Sequence, residues 1–304
     1  MHASQHVAVC ASRVHARCVF VISCCHLPLQ GLSVLHIERY YTDSAKLSQT
    51  TLALHHNILA TALNAAVKKG LLRTSPASKV TNKPHRHIGA ETLDNVWTVE
   101  ETRTFLSFVK TNCCTQDAAL FALAIDSGAR KAELLGLRWT DLQDTVMRIQ
   151  QQLLKGGKKL LSFGLPKRGG VRSVDLSAET VALLQVHKRE QAELKMKNRL
   201  VYRDLGLVFA QRWEDGRAHL GMPLDMGTVN AKLESACAIA GVKRITPHGL
   251  RHTSATLLLA AGVPPHVVQR RLGHKKVEMT LGIYSHVLPS MQQEAAAKLA
   301  ALLT

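Results

Sequence analysis

The sequence predicts a mainly α-helical protein with a small three-stranded antiparallel sheet (an α+β chain), arranged in two domains. Three observations carry this expectation. Hydrophobic residues make up 46% of the 304 positions while aromatics make up only 4%, so the core must be built from Leu, Val and Ala, a composition that favours helices. Apolar residues recur at three- and four-residue steps, as the buried face of a helix requires. Three short apolar runs, at 146–154, 159–165 and 171–176, are separated by Gly156-Gly157 and Gly169-Gly170 and read as strands joined by turns.

Residues 1–34 stand apart as an atypical extension without regular structure. The first thirty residues hold four of the seven cysteines and no acid, the first being Glu38. The apolar stretch Val19–Cys24 follows Arg13 and Arg17 as a leader would, but it is short and gives way to Cys24, Cys25 and His26. No paired zinc-ligand spacing is present, and an odd, irregular set of cysteines is not a disulfide framework. From 35 to 73 Ile37, Tyr40, Leu52, Leu59, Leu63 and Val67 keep helical spacing. Ser48 or Thr50 is a candidate N-cap there, and Gly70 a stop. The stretch 74–96, with Pro76, Pro84 and Gly89, reads as a linker. Thr98-Val99-Glu100-Glu101 is a capping box, so the second domain is expected at 97–304. Within it, 118–139 is helical and broken at Gly128, the strands follow, and helices resume from Ser177.

Charge narrows the function. Lys plus Arg number 39 against 22 Asp plus Glu, a formal net charge of +17. Such an excess calls for an anionic partner, with nucleic acid first among them. No long apolar span or basic amphipathic helix stands out, so a membrane is not expected.

The strongest local signal is Thr246-Pro247-His248-Gly249-Leu250-Arg251-His252. Thr246 suits an N-cap and Pro247 the first helical position. His248 and Arg251 are three apart and share one face of the first turn. Unpaired backbone N–H groups and the positive end of the helix dipole lie there too, which together make a phosphate site. Gly262 ends this helix, Pro264-Pro265 starts another, and Gly273 stops it ahead of His274. Tyr284 follows ten residues later, between Ile283 and Ser285-His286. Each residue alone has an ordinary structural use: packing for Tyr284, capping for His274, a surface ion pair for Arg251.

Taken together, His248-Gly-Leu-Arg251-His252, Leu272-Gly273-His274 and Tyr284-Ser-His286 resemble the second signature box of the tyrosine recombinases, the phage integrase family. Ser127-Gly-Ala-Arg130-Lys-Ala-Glu133-Leu134 resembles the first box, and Lys167 in Pro166-Lys167-Arg168-Gly-Gly-Val171-Arg172 resembles the strand-turn lysine. The match runs from about residue 35 to the C-terminus. It implies a helical core-binding domain followed by a catalytic domain, the two clamping a DNA duplex. Residues 35–73 are shorter than that family's usual core-binding module.

The resemblance also implies the chemistry. Arg130 and Arg251 clamp the non-bridging oxygens of the scissile phosphate, where guanidinium forks make bidentate bonds that lysine cannot. Tyr284 attacks phosphorus and gives a 3′-phosphotyrosyl link and a 5′-hydroxyl. A phenol of pKa near ~10 needs a proton acceptor at neutral pH, and His248 is the candidate base. His274 donates a hydrogen bond to the phosphate, and Lys167 is the general acid for the leaving oxygen. Glu133 is read as orienting Arg130 or tuning the histidines, with a surface ion pair as the plain alternative. His252 and His286 are supporting residues. No cofactor and no metal are expected: the cations come from side chains, and neither an HExxH motif, an acidic cluster nor a Walker loop occurs.

Lys155, Lys158, Lys159, Lys167, Arg168 and Arg172 place six cations in eighteen residues without an acid, a stripe expected to follow DNA phosphates. An amphipathic stretch at 290–303 is either core of its own subunit or, by resemblance, a link to a neighbouring one. The partners expected are double-stranded DNA, three further copies in a homo-tetramer on DNA and accessory DNA-bending proteins, in the cytoplasm. The reading is a site-specific recombinase or integrase of a mobile element. Its alternative is a DNA-binding remnant that no longer recombines. A helix-turn-helix regulator built on 253–272 would leave the Arg130 box and Lys167 without a role, and a relaxing topoisomerase would differ in ignoring sequence.

Overall fold

In the computed structural model, residues 27–85, 95–154, 162–166, 170–212, 220–273 and 300 are described. The chain divides into two compact units, 1–88 and 89–304. Among the described residues it is mainly helical, with short antiparallel strands, and no helix is long and apolar enough to cross a membrane.

The first unit is built on α1 (Val34–Asp43) and α2 (Gln49–Lys68). Ser48 caps α2 by accepting the Thr51 N–H. Ile37 and Leu63 meet in a core that also takes Ala77 and Val80, with Leu29 and Leu32 packed on its edge. The module is therefore wider than the expected 35–73. A 3-10 turn at Leu29–Gly31 precedes α1, and another at Pro76–Lys79 buries Ala77 completely, although the prolines and polar residues there read as linker. Side by side, the Tyr40 and Tyr41 hydroxyls each lie 2.6 Å from a histidine Nδ1, of His55 and His56 respectively.

The second unit opens at Trp97, which is buried on Phe105 with ring centroids 4.5 Å apart. Thr98 and Glu101 form the capping box of α3 (Val99–Asn112). Next comes α4 (Thr115–Ser127), whose residues Ala118 to Ile125 are all buried. A helix apolar on every side belongs at the centre of a domain, and α4 is packed by α3, by α6 (Ala178–Lys197) and by α8 (Pro247–Ala260). Gly128 caps α4 in the left-handed region, with φ +60°, and α5 (Lys131–Gly136) follows the three-residue corner Gly128-Ala129-Arg130. The remaining helices are α7 (Met226–Ala240) and α9 (Pro265–Leu272).

The strands are shorter and more divided than their apolar runs suggest. Strand β1 (Leu142–Gln143) pairs with β2 (Val146–Ile149), and β2 with β5 (Arg172–Asp175), all antiparallel. A separate two-stranded ladder joins β3 (Gln152–Leu154) to β4 (Ser162–Gly164). The expected single strand at 146–154 thus breaks at Gln150-Gln151. Their side-chain amides turn back to the Asp141 carboxylate and the Gly136 carbonyl, which takes the chain out of the first ladder. In β5 burial alternates, with Arg172 and Val174 inward and Ser173 and Asp175 outward, as the two-residue repeat of a strand dictates.

Candidate active site

The site forms where three chain corners meet: the α4–α5 corner, the start of α8 and the end of α9. Thr246 caps α8 by accepting the Gly249 N–H at 3.1 Å, with Pro247 in the first turn. This aims His248 and Arg251 from the helix start, as the sequence suggested. His248 is exposed and His252 half-buried, and their rings meet edge to face with centroids 4.4 Å apart.

Arg251 is almost wholly buried, at 2% exposure. Its Nη1 donates to the Gly128 carbonyl at 2.8 Å and its Nη2 to the Leu272 carbonyl at 2.7 Å. Arg130 enters from the other side. Its Nη2 reaches the next carbonyl, that of Gly273, at 3.4 Å, while its Nη1 donates to Glu133 at 2.9 Å. Two guanidiniums far apart in the chain thereby converge on consecutive carbonyls at the C-terminal end of α9, where the helix dipole favours cations. Arg130 remains 27% exposed in its side chain. Of its five N–H groups, three are not taken up by described residues.

Glu133 is not a surface ion pair. Its side chain has no exposure, and its carboxylate accepts from Arg130 N and Nη1 and from Arg172 Nη1 and Nη2, at 2.9, 2.9, 3.2 and 2.7 Å. Burial alone would raise its pKa, but the hydrogen bonds and charge of Arg172, and then those of Arg130, outweigh it and hold the carboxyl below its ordinary range. Arg172 itself departs from the expectation that it lines the DNA. Its inward position in β5 buries it, and its Nε–H donates to the Arg271 carbonyl at 2.9 Å.

Three guanidiniums around one carboxylate leave the site cationic. Burial first, then Arg130, pushes the Arg251 pKa down to about 9, and it stays a cation at neutral pH. Partial desolvation at the helix start, followed by the charges of Arg251 and Arg130, lowers His248. Burial, His248 and Arg251 lower His252 to about 4. Both imidazoles are therefore neutral at pH 7, and a neutral imidazole can accept a proton.

The described residues thus unite Arg130, Glu133, Arg172, His248, Arg251 and His252. Tyr284, His274, Lys167, Lys155, Lys158, Lys159 and Arg168 lie outside the described residues, as does the 290–303 stretch apart from Ala300. Sequence reasoning missed Arg271. Its Nη2 donates to the Asp126 carbonyl and carboxylate at 2.9 and 3.0 Å, which fastens the end of α9 to α4. Its place just before Leu272-Gly273-His274 was the available signal.

The model of the phage integrase family matches residues 95–291. Among curated proteins, the chain is similar to a XerC-like tyrosine recombinase of Caldanaerobacter subterraneus subsp. tengcongensis, 31% identical over 282 residues that cover 86% of this chain and 69% of the relative. The ICEBs1 integrase of Bacillus subtilis is 26% identical, over 91% of this chain and 68% of its own length. Among solved structures, the Tn1549 transposon integrase in complex with a circular intermediate DNA superposes with a TM-score of 0.68 at 21% identity, covering 88% of this chain and 87% of that one. The XerH site-specific recombinase bound to a palindromic difH substrate gives 0.64 at 21% identity, covering 88% and 72%. At that identity the two structures speak for the fold.

Proposed function

Because the chain belongs to the phage integrase family, we propose that it is a site-specific recombinase that cleaves and rejoins DNA through a 3′-phosphotyrosyl intermediate. The observation that carries the reading is the convergence of Arg130 and Arg251 on the carbonyls of Gly273 and Leu272, beside a neutral His248.

The chemistry follows from charge and protons. Arg130 offers its remaining N–H groups to a non-bridging phosphate oxygen, and Arg251 supplies the second positive charge. The transition state concentrates negative charge on those oxygens, and losing one preorganised donor of this kind costs about 3–4 kcal/mol. His248 accepts the Tyr284 proton as the phenolic oxygen attacks phosphorus. The bond to the 5′-oxygen breaks, Lys167 protonates that oxygen, and His274 donates a hydrogen bond to the phosphate. The phosphotyrosine conserves the bond, so the reverse attack by a 5′-hydroxyl rejoins the strand with no external energy source. Lys155, Lys158, Lys159 and Arg168 add salt-dependent contacts to phosphates. The helical module built on α1 and α2 serves as the core-binding half, a homo-tetramer holds two duplexes, DNA-bending proteins assist, and the reaction takes place in the cytoplasm.

The test is covalent trapping. The purified chain is incubated with nicked duplexes tiled across the DNA that flanks its coding locus, and protein–DNA adducts are separated on denaturing gels. The wild type gives an adduct and Tyr284→Phe gives none while still shifting the DNA. A wild type that binds these duplexes but never forms an adduct is a DNA-binding remnant, and the proposal is then wrong.

A further inference from the structure

Arg172 was expected on the DNA surface and lies instead inside the site. It completes a closed ring of contacts. Arg130 Nη1 donates to Glu133 Oε1, and Glu133 takes the Nη1 and Nη2 of Arg172 on its two carboxylate oxygens. Arg172 Nε–H then donates to the Arg271 carbonyl, and two residues on the Gly273 carbonyl receives Arg130 Nη2. Gly273 also lies against Arg172: a Cβ there would sit 3.1 Å from the Arg172 Cδ and 3.1 Å from its Nη1.

From this ring, and resting on the recombinase reading above, we propose that Arg172 is a positioning residue of the phosphate site. It sets the guanidinium of Arg130 from both sides at once, through Glu133 and through the end of α9. Three acceptors in two directions engage three of its nitrogens: the two oxygens of the Glu133 carboxylate on the Nη atoms and the Arg271 carbonyl on Nε. A lysine keeps the charge but is a point donor on a flexible stem and cannot span all three. Among the described residues Arg130 donates one strong side-chain hydrogen bond, to Glu133, since its contact to Gly273 is 3.4 Å. Its placement therefore depends on how firmly Glu133 is held. A misplacement of about 1 Å in such a group costs on the order of 10²-fold in rate.

The experiment measures adduct formation and DNA affinity separately, with full-length protein on the nicked flanking duplexes. Arg172→Lys is expected to slow single-turnover adduct formation about 10²-fold while the duplex Kd stays within about 3-fold. Combined with Arg130→Lys, it is expected to slow the reaction no more than about 3-fold beyond Arg130→Lys alone, because the two act through one group. A merely structural role would instead multiply the two losses. An Arg172→Lys rate within about 3-fold of wild type, or losses that multiply, overturns the positioning role. Should Arg172→Lys fail to fold, Glu133→Asp replaces it and keeps both charges while shortening the link by one methylene, with the same thresholds. Failure of the wild type to form any adduct overturns the recombinase reading and this role together. A wild-type adduct beside an unimpaired Arg172→Lys overturns this role alone.

Discussion

Gly128 stands at the corner that delivers Arg130, and adding one methyl there tests how tightly the site is built. Its φ is +60°, a conformation that costs a residue with a Cβ about 1–2 kcal/mol. A Cβ would also lie 2.4 Å from Leu272 Cδ2 and 3.1 Å from Ser254 Oγ. Both neighbours are buried, so relief requires shifts in packed helices, at about 1–3 kcal/mol. Gly128→Ala should therefore destabilise by about 2–5 kcal/mol. Gly241 supplies the control, since its φ is +67° and a Cβ there meets nothing within 4 Å, which leaves only the backbone cost. All three tryptophans, Trp97, Trp139 and Trp213, belong to the second unit, so their fluorescence follows the unfolding of that unit alone. At about 2–4 °C per kcal/mol for a unit of this size, Gly128→Ala should melt ~2–12 °C below Gly241→Ala. Equal melting temperatures for the two variants would show that the Leu272 contact is not tight, and the account of this corner would be wrong.

Two further outcomes follow from the charges. His248 and His252 have pKa values held below 6.5 in the folded chain, His252 at about 4, so between pH 6.5 and 4 the unfolded chain binds more protons. Stability is then fully present above pH 6.5 and is lost as pH falls towards 4. The urea midpoint of wild type should accordingly drop relative to that of His252→Phe as pH is lowered from 7 to 5, and a difference that stays constant with pH would contradict it. On DNA, Lys155→Ala, Lys158→Ala and Lys159→Ala should each lower the slope of log affinity against log salt by about 1. Arg172→Lys should leave that slope alone, and a slope unchanged in all three lysine variants would remove them from the DNA contact.

What the sequence revealed and what it hid divide along the range of the interactions. Helix ends are local events, and the caps at Ser48, Thr98 and Thr246 and the stops at Gly128 and Gly273 were readable because each depends on residues within one turn. The pairing of His248 with Arg251 on one helical face was readable for the same reason. Arg172 was misjudged because its partner Glu133 is 39 residues away, and a run of cations without acids looks like an open surface. The clue was present in the alternation, since Arg172 has the same parity as Val174 and Leu176, and a strand that buries those two buries the arginine as well. The break at Gln150-Gln151 was hidden because it depends on acceptors at Gly136 and Asp141, which only the folded chain brings near.

Asn95 decides where a working fragment of the second unit can begin. Its side-chain amide donates to the Thr246 hydroxyl at 3.0 Å and its side-chain oxygen accepts the Thr246 N–H at 2.8 Å. It thus braces the residue that caps the helix bearing His248 and Arg251. A fragment cut at Trp97, where the capping box and hydrophobic pattern start, keeps its whole buried core yet leaves Thr246 without this brace. One cut upstream of Asn95 keeps it. The place to trim this protein is therefore set by a polar clasp on the far side of the sequence, two residues before the first buried ring of that unit.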